Sequence, residues 1–277
     1  MIEAFVFLFG LVFGSFLNVC IHRLPRHESV VTPGSHCPIC QTPIRARDNI
    51  PVIGYLLLRG RCRSCGKPIS PEYPLVELLT GALFLGCYCR FGVTLAGAKW
   101  TLFCAILLVL IFTDFHERIL PNRVNYFGLG AGLALSPFAP AVDGLTRWLL
   151  GGRLPPAEAT PLLRLSDSAL GAVLAAGLLW LFAEGYFRLR GREGMGLGDV
   201  KMMAMAGAFL GVRQAIVMLM FGSIIGSVVG AVAVWGLGKG RDYELPFGSF
   251  LGIAGIFLIF AGGPLFHWYL SAAGISR

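Results

Sequence analysis

Four of the 15 acidic residues stand inside or at the ends of strongly apolar runs: Glu77, Asp114, Glu184 and Asp199. Carboxylates at membrane depth are costly, and where they occur they mark functional positions. Asp114 closes the run Ile111-Phe112-Thr113-Asp114, and Asp199 closes Gly194-Met195-Gly196-Leu197-Gly198-Asp199 before another apolar stretch. If the chain alternates across a bilayer, the run ending at Asp114 travels inward and the run beginning at Asp199 travels outward. Both carboxylates then lie at the same face and at similar depth. Such a pair can share a water and one proton, one member acting as base while the other donates to a carbonyl oxygen. Gly194, Gly196 and Gly198 offer a strip without side chains, along which an extended peptide backbone can approach Asp199. Lys201 is placed to tune a carboxylate or hold a phosphate headgroup, with snorkelling to the interface as the plainer reading. Plainer readings exist for the pair as well. Asp199 suits the positive end of a helix dipole, and Asp114 can pair with Arg118 or Arg123.

A second set of chemical residues lies in a polar stretch. Cys37-Pro38-Ile39-Cys40 and Cys62-Arg63-Ser64-Cys65 form two CxxC pairs separated by 21 residues. Four thiolates suit a closed tetrahedral Zn2+ site of structural type, with no open coordination position for catalysis. The stretch has too few large apolar residues to build a core by itself, and metal binding supplies folding free energy. A redox dithiol or unmetallated cysteines are the other readings. Cys20, Cys87, Cys89 and Cys104 lie in apolar segments and read as small hydrophobes.

The elements that must position these groups are membrane spans. The chain of 277 residues is 56% hydrophobic and 14% charged, with a mean hydropathy of +0.72. Soluble domains are about 25% charged, so a soluble enzyme and a disordered chain are both excluded. Apolar runs fall at about 2–20, 75–93, 96–113, 124–142, 168–187, 200–212, 214–237 and 249–270. The fold class is therefore an all-α polytopic membrane protein with about eight transmembrane helices. A small cytoplasmic four-cysteine zinc-binding insert lies between helices 1 and 2. The organisation reads as helix 1 (1–20), the insert (21–74) and a transmembrane domain carrying both aspartates (75–277). The sixth run is short, about 20 Å at 1.5 Å per residue against a hydrocarbon core of about 30 Å. With the N-terminus outside, 16 of the 23 Lys and Arg residues face inward, in accord with the positive-inside rule. Both termini are then outside, and 143–167 is an outer loop. The net charge of +8 reads as topology and contact with anionic membrane lipid, with no nucleic-acid partner. Small residues at Gly10 and Gly14, and at Gly222, Gly226 and Gly230, have the spacing of close helix contacts.

Taken together, the motifs resemble the type IV prepilin peptidases, membrane aspartic proteases of the GxGD kind. The resemblance runs along nearly the whole chain. It begins with Gly14-Ser15-Phe16-Leu17-Asn18-Val19 and His22-Arg23-Leu24-Pro25, and passes through the two CxxC pairs. It continues with Asp48-Asn49-Ile50-Pro51, Gly60-Arg61-Cys62 and Tyr73-Pro74-Leu75-Val76-Glu77. The run Asp114-Phe-His-Glu-Arg-Ile-Leu-Pro121-Asn122 and the run Gly196-Leu197-Gly198-Asp199-Val200-Lys201 look like the family's two aspartate motifs. Some members show an acid where this chain has Asn122, and no role is assigned to it.

The resemblance implies a bifunctional enzyme of the bacterial inner membrane. One activity cleaves the leader of type IV prepilins and type II secretion pseudopilins at the cytoplasmic face, with Asp114 and Asp199 as the catalytic pair. The other N-methylates the new N-terminal residue with S-adenosylmethionine, an activity associated with the four-cysteine insert. No Gly-rich methyltransferase fingerprint is visible in 21–74, so a site for the methyl donor is not legible. A membrane transporter with intramembrane carboxylates and a structural zinc insert is the competing class. It predicts internal repeats, and none is convincing. The insert also carries eight Lys and Arg against Glu28, Asp48 and Glu72, a poor surface for a basic leader. Either local acids such as Glu72, Glu77 or Glu117, or anionic lipid, are expected to receive it.

Overall fold

In a computed structural model of the protein, the described residues are 1–139, 160–191, 194–236, 238 and 245–272. The expected outer loop at 143–167 lies mostly outside them. Among the described residues the chain is all-helical, with two isolated bridges and no strand. It divides into two compact units, 1–109 and 110–277.

The first unit is a helix pair with an insert. Helix α1 (Ile2–Arg23) and α3 (Glu72–Phe91) pack along most of their length. Their contact is built on small residues: a Cβ added at Gly10 would stand 2.7 Å from Gly81 Cα, and one at Gly14 would stand 2.7 Å from Glu77 Cα. The opposite face of α1 exposes Phe5, Leu8 and Val12. In water that stripe would be an unpartnered apolar patch, whereas lipid covers it at no cost. Between α1 and α3 lie the insert and the short α2 (Ile53–Leu57). Helix α4 (Leu95–Glu117) begins in the first unit and ends in the second.

The second unit holds the end of α4 and five further helices. These are α5 (Asn122–Leu135), α6 (Pro161–Arg190), α7 (Leu197–Leu210), α8 (Val212–Ala231, continued by a π-helical turn over Val232–Gly236) and α9 (Phe247–Ala272). Helix α6 starts where Thr160 Oγ1 accepts the Leu163 N–H at 3.3 Å, with Pro161 in the first turn, where its missing N–H costs nothing. It stops at Gly191 in the left-handed conformation, a helix stop that glycine adopts without a Cβ clash. Helix α7 is the buried centre: Met202, Met203, Met205, Ala206, Ala208 and Phe209 are fully enclosed. It meets α6 backbone to backbone at Gly171 and Gly207, and the Ser168 hydroxyl donates to the Ala208 carbonyl at 2.5 Å. Gly222 and Gly226 play the same part between α8 and α9, where added Cβ atoms would reach Leu251 and Phe250.

Eight of the described helices have 14 or more residues, and they fall on the eight apolar runs within a few residues at most ends. Five of them are long and apolar enough to cross a membrane. Helices α5 and α7 have 14 residues each, about 21 Å. The run expected at 124–142 is cut short because α5 ends at Leu135, ahead of Pro137, which has no N–H to continue the helical hydrogen-bond ladder.

Candidate active site

Asp114 sits in the last turn of α4, where the apolar run gives way to polar residues, and only 6% of it is exposed. The first turn of α9 holds it. Its Oδ2 accepts the Ser249 backbone N–H at 2.7 Å, and the Ser249 hydroxyl lies 3.0 Å from the same oxygen. That hydroxyl also lies 2.9 Å from the Ile111 carbonyl, and its single proton serves one acceptor at a time. A carboxylate oxygen at a helix N-terminus meets N–H groups that have no partner inside the helix. The carboxyl group is thereby oriented by donors of the first turn of α9, the Gly248 backbone among them.

Asp199 opens α7 and is 8% exposed. It lies within electrostatic reach of Asp114. Leu120, in the segment just after α4, wedges between the two motifs. A Cβ at Gly198 would stand 3.1 Å from Leu120 Cβ. One at Gly248 would stand 2.9 Å from Leu120 Cδ1 and 3.2 Å from Asp114 Oδ2. Glycine at these two positions lets Leu120 seat between the aspartate motif of α7 and the start of α9, which draws Asp199 and Asp114 around one point. A larger residue at either position would separate them.

The glycine strip is not uniformly open. An added Cβ at Gly194 would collide with the Tyr186 ring at 2.5 Å, and Leu120 covers Gly198. Gly196 alone has open space, its nearest neighbours being Asp199 Oδ2 and Gly198 N at 3.8 Å. Backbone approach is therefore possible at Gly196, directly beside the Asp199 carboxylate.

Lys201 points away from the acids. Its Nζ donates to Asn122 Oδ1 at 2.8 Å and lies 5.7 Å from the centre of the Tyr126 ring, so it ties the start of α7 to the start of α5. Asn122, which had no role in the sequence, is its partner. Ser249 is the other residue that sequence reasoning missed: it lies 135 positions from Asp114, and nothing in Pro246-Phe247-Gly248-Ser249 marks it as a carboxylate holder. Glu184 makes a 2.7 Å ion pair with Arg188 one turn on, a local pairing that leaves it outside the site. Glu77 is 7% exposed and accepts the Val52 N–H at 2.7 Å, so it is not a surface acid for a basic leader.

The four cysteines of the insert, Cys37, Cys40, Cys62 and Cys65, offer sulfur atoms that all lie within 4.8 Å of one another. Two of the separations are 3.9 Å for Cys37–Cys65 and 4.0 Å for Cys40–Cys62. Tetrahedral Zn–S bonds of about 2.3 Å require sulfur separations of about 3.8 Å, so the cluster has the dimensions of a zinc site. It is made of two equivalent knuckles. Cys37 N donates to Thr42 O at 3.0 Å and Gln41 N to Cys37 O at 2.9 Å. In the second, Cys62 N donates to Lys67 O at 2.8 Å and Gly66 N to Cys62 O at 2.9 Å. Each needs a left-handed residue after the second cysteine, supplied by Gln41 and Gly66. Hydrogen bonds with Thr42 hold the Cys40 thiol down at about 6, and backbone N–H groups of Cys65 and Ser64 lower Cys62. At Cys65 the lowering hydrogen bond with the Lys67 backbone is outweighed by burial and hydrogen bonds among the cysteines, which push it up to about 11. Two of the four sulfurs are thus set toward the thiolate that binds metal. Arg63 donates to both oxygens of Asp48 at 2.8 and 2.6 Å, bracing the second knuckle.

Two family models match successive parts of the chain. Residues 8–91 match the family model described as Bacterial Peptidase A24 N-terminal domain, and residues 101–231 match the model described as Type IV leader peptidase family. A prepilin leader peptidase/N-methyltransferase of Aeromonas hydrophila is 34% identical over 294 residues, covering 96% of this chain and 93% of its own length. The one from Neisseria gonorrhoeae is 35% identical over 292 residues, covering 95% and 92%. The one from Myxococcus xanthus is 38% identical over 237 residues, covering 85% and 64%. No solved structure matches the chain. With the A24 N-terminal model falling on the unit that carries the cysteines, the leader-peptidase model spanning both aspartates, and relatives above 30% identity from end to end, this chain belongs to the type IV leader peptidase family.

Proposed function

We propose that the chain removes the leader from type IV prepilins and type II secretion pseudopilins and then N-methylates the exposed residue with S-adenosylmethionine. The observation that carries the first activity is the convergence of Asp114 and Asp199 around Leu120, with Asp114 oriented by Ser249. The relatives' shared description as prepilin leader peptidase/N-methyltransferase supports both. Cleavage proceeds by direct attack of water on the peptide carbonyl. One aspartate takes the water's proton, and the other polarises the carbonyl and then protonates the leaving amine. The open backbone at Gly196 is where the substrate strand lies. No covalent intermediate forms.

The remaining parts fall into place around that reaction. Helices α5, α7 and α9 join the five long apolar helices in the bilayer, making eight spans. The inner membrane holds them with the aspartates at the cytoplasmic face and both termini outside, as the distribution of Lys and Arg favours. Residues 21–74 form a zinc domain in which Cys37, Cys40, Cys62 and Cys65 hold a structural Zn2+, and 75–277 form the peptidase domain. Bound zinc would cross-link the two knuckles and supply the folding free energy that the insert's few apolar residues lack.

The test is incubation of the purified chain in detergent with a prepilin, read by gel mobility, and mass spectrometry with and without S-adenosylmethionine. Leader loss without the donor, and a methyl increment only with it, are expected. Intact prepilin after incubation with active protein contradicts the peptidase reading and favours a transporter.

A further inference from the structure

The first unit encloses a cavity of about 770 Å³ that the aspartate chemistry does not use. Its roof is the four-cysteine insert. Its floor is made by the cytoplasmic ends of α1 and α3, through Asn18, Tyr73 and Glu77, and its side by Val52 and Tyr55. Three acids line it. Glu28 is exposed at the rim, and Asp48 is tied to Arg63. Glu77 is the acid buried in the floor, fixed by the Val52 N–H at 2.7 Å. Val52 presents that N–H from a backbone with φ of +61°, a strained conformation for a β-branched residue and one that clusters at functional sites. Asn18, 3% exposed, donates its amide N–H to the Tyr73 carbonyl at 3.0 Å, while its Oδ1 is buried without a hydrogen-bond partner. A built cavity with a buried carboxylate in its floor and two tyrosines in its wall has the features of a ligand site, and its volume falls in the range of small-molecule sites.

We infer that this cavity binds S-adenosylmethionine, the methyl donor, together with the new N-terminal amine of the cleaved substrate, and that Glu77 lies between their two positive charges. The inference rests on the methyl-transfer reading above and gives that reaction a place. A sulfonium and an ammonium repel each other, and one buried carboxylate between them offsets that repulsion. The adenosyl group stacks against the tyrosines. The floor at the helix ends suits a substrate whose new terminus emerges at the membrane face. In the transfer, the ammonium first gives one proton to Glu77, which passes it to solvent. The amine lone pair then forms the N–CH3 bond as the S–CH3 bond breaks, and the electron pair of that bond stays on sulfur as a neutral thioether.

The test is equilibrium binding of radiolabelled S-adenosylmethionine to the full chain in detergent. The unmodified chain binds, and Glu77→Gln and Tyr55→Ala each weaken binding at least tenfold while their zinc content stays at one per chain. Because either variant can disturb the insert, the unmodified chain is also photolabelled with an azido-adenosyl analogue and mapped by peptide mass spectrometry. Label within residues 15–77 is expected. Binding by the unmodified chain that both variants retain, or label confined to other residues, overturns the placement and leaves methylation standing. Absence of both binding and methylation in the unmodified chain overturns the placement and the methyl-transfer reading together.

Discussion

Ser249→Ala isolates one of the donors that orient Asp114. The backbone N–H at 2.7 Å remains, and only the hydroxyl at 3.0 Å is lost. The Cβ is kept, and alanine favours the start of α9. A hydrogen bond to a charged group is worth about 1.5–3 kcal/mol. The hydroxyl also faces the Ile111 carbonyl at 2.9 Å, and this competition puts the loss at the low end, about 1.5 kcal/mol. At about 1.36 kcal/mol per factor of ten, kcat for leader cleavage falls roughly tenfold. KM stays within about twofold, because the hydroxyl orients the carboxylate and does not bind the leader. Initial rates of prepilin cleavage in detergent, read on gels over a range of substrate concentrations, give both constants. A wild-type kcat refutes the positioning role. A loss as deep as that of Asp114→Asn also refutes it, since the backbone donor would then count for nothing.

Three further outcomes follow from the packing and the insert. Gly207→Ala places a methyl group against the Gly171 carbonyl; overpacking of this kind costs about 1–3 kcal/mol, so the Tm in detergent drops by several degrees, and an unchanged Tm contradicts the backbone contact of α6 and α7. Stripping metal with a strong chelator removes amide-exchange protection from residues 36–68 and leaves α7 protected, whereas equal protection before and after shows that the knuckles hold without zinc. The hydrogen bonds from Arg63 hold the Asp48 carboxyl below its usual value of 3.8. A carboxyl lowered by folding stabilises the fold above its unfolded value and loses that contribution as pH falls through the folded value. Asp48→Asn therefore weakens the insert at pH 7 and flattens its acid-unfolding profile below about pH 4. Identical profiles for the two chains contradict the brace.

Residues whose own chemistry is unusual for their surroundings were legible in the sequence. Carboxylates at the ends of apolar runs and cysteines in repeated pairs stand out without any knowledge of contacts. The helices were legible for the same reason, since about 20 consecutive apolar residues admit few other readings. What stayed hidden is pairing across long separations. Ser249 carries no signal that it serves Asp114, 135 residues away. Leu120 reads as one more apolar residue, yet it decides how closely Gly198 and Gly248 approach. Nothing in the sequence marks the neutral amide of Asn122, 79 residues away, as the partner of Lys201. Glu77 was expected to meet the leader, and a strained backbone N–H at Val52 holds it instead. Composition fixes what a residue costs to bury, and only the packed structure says what offsets that cost.

The central claim is that Asp114 and Asp199 act as one pair on a bound water. It is tested most directly by leader cleavage with Asp114→Asn and Asp199→Asn in the full chain, each checked for an unchanged Tm and for unchanged zinc content. The account predicts that either substitution alone abolishes cleavage and that the double variant is no worse than either single one. Cleavage at the wild-type rate by either folded variant contradicts it.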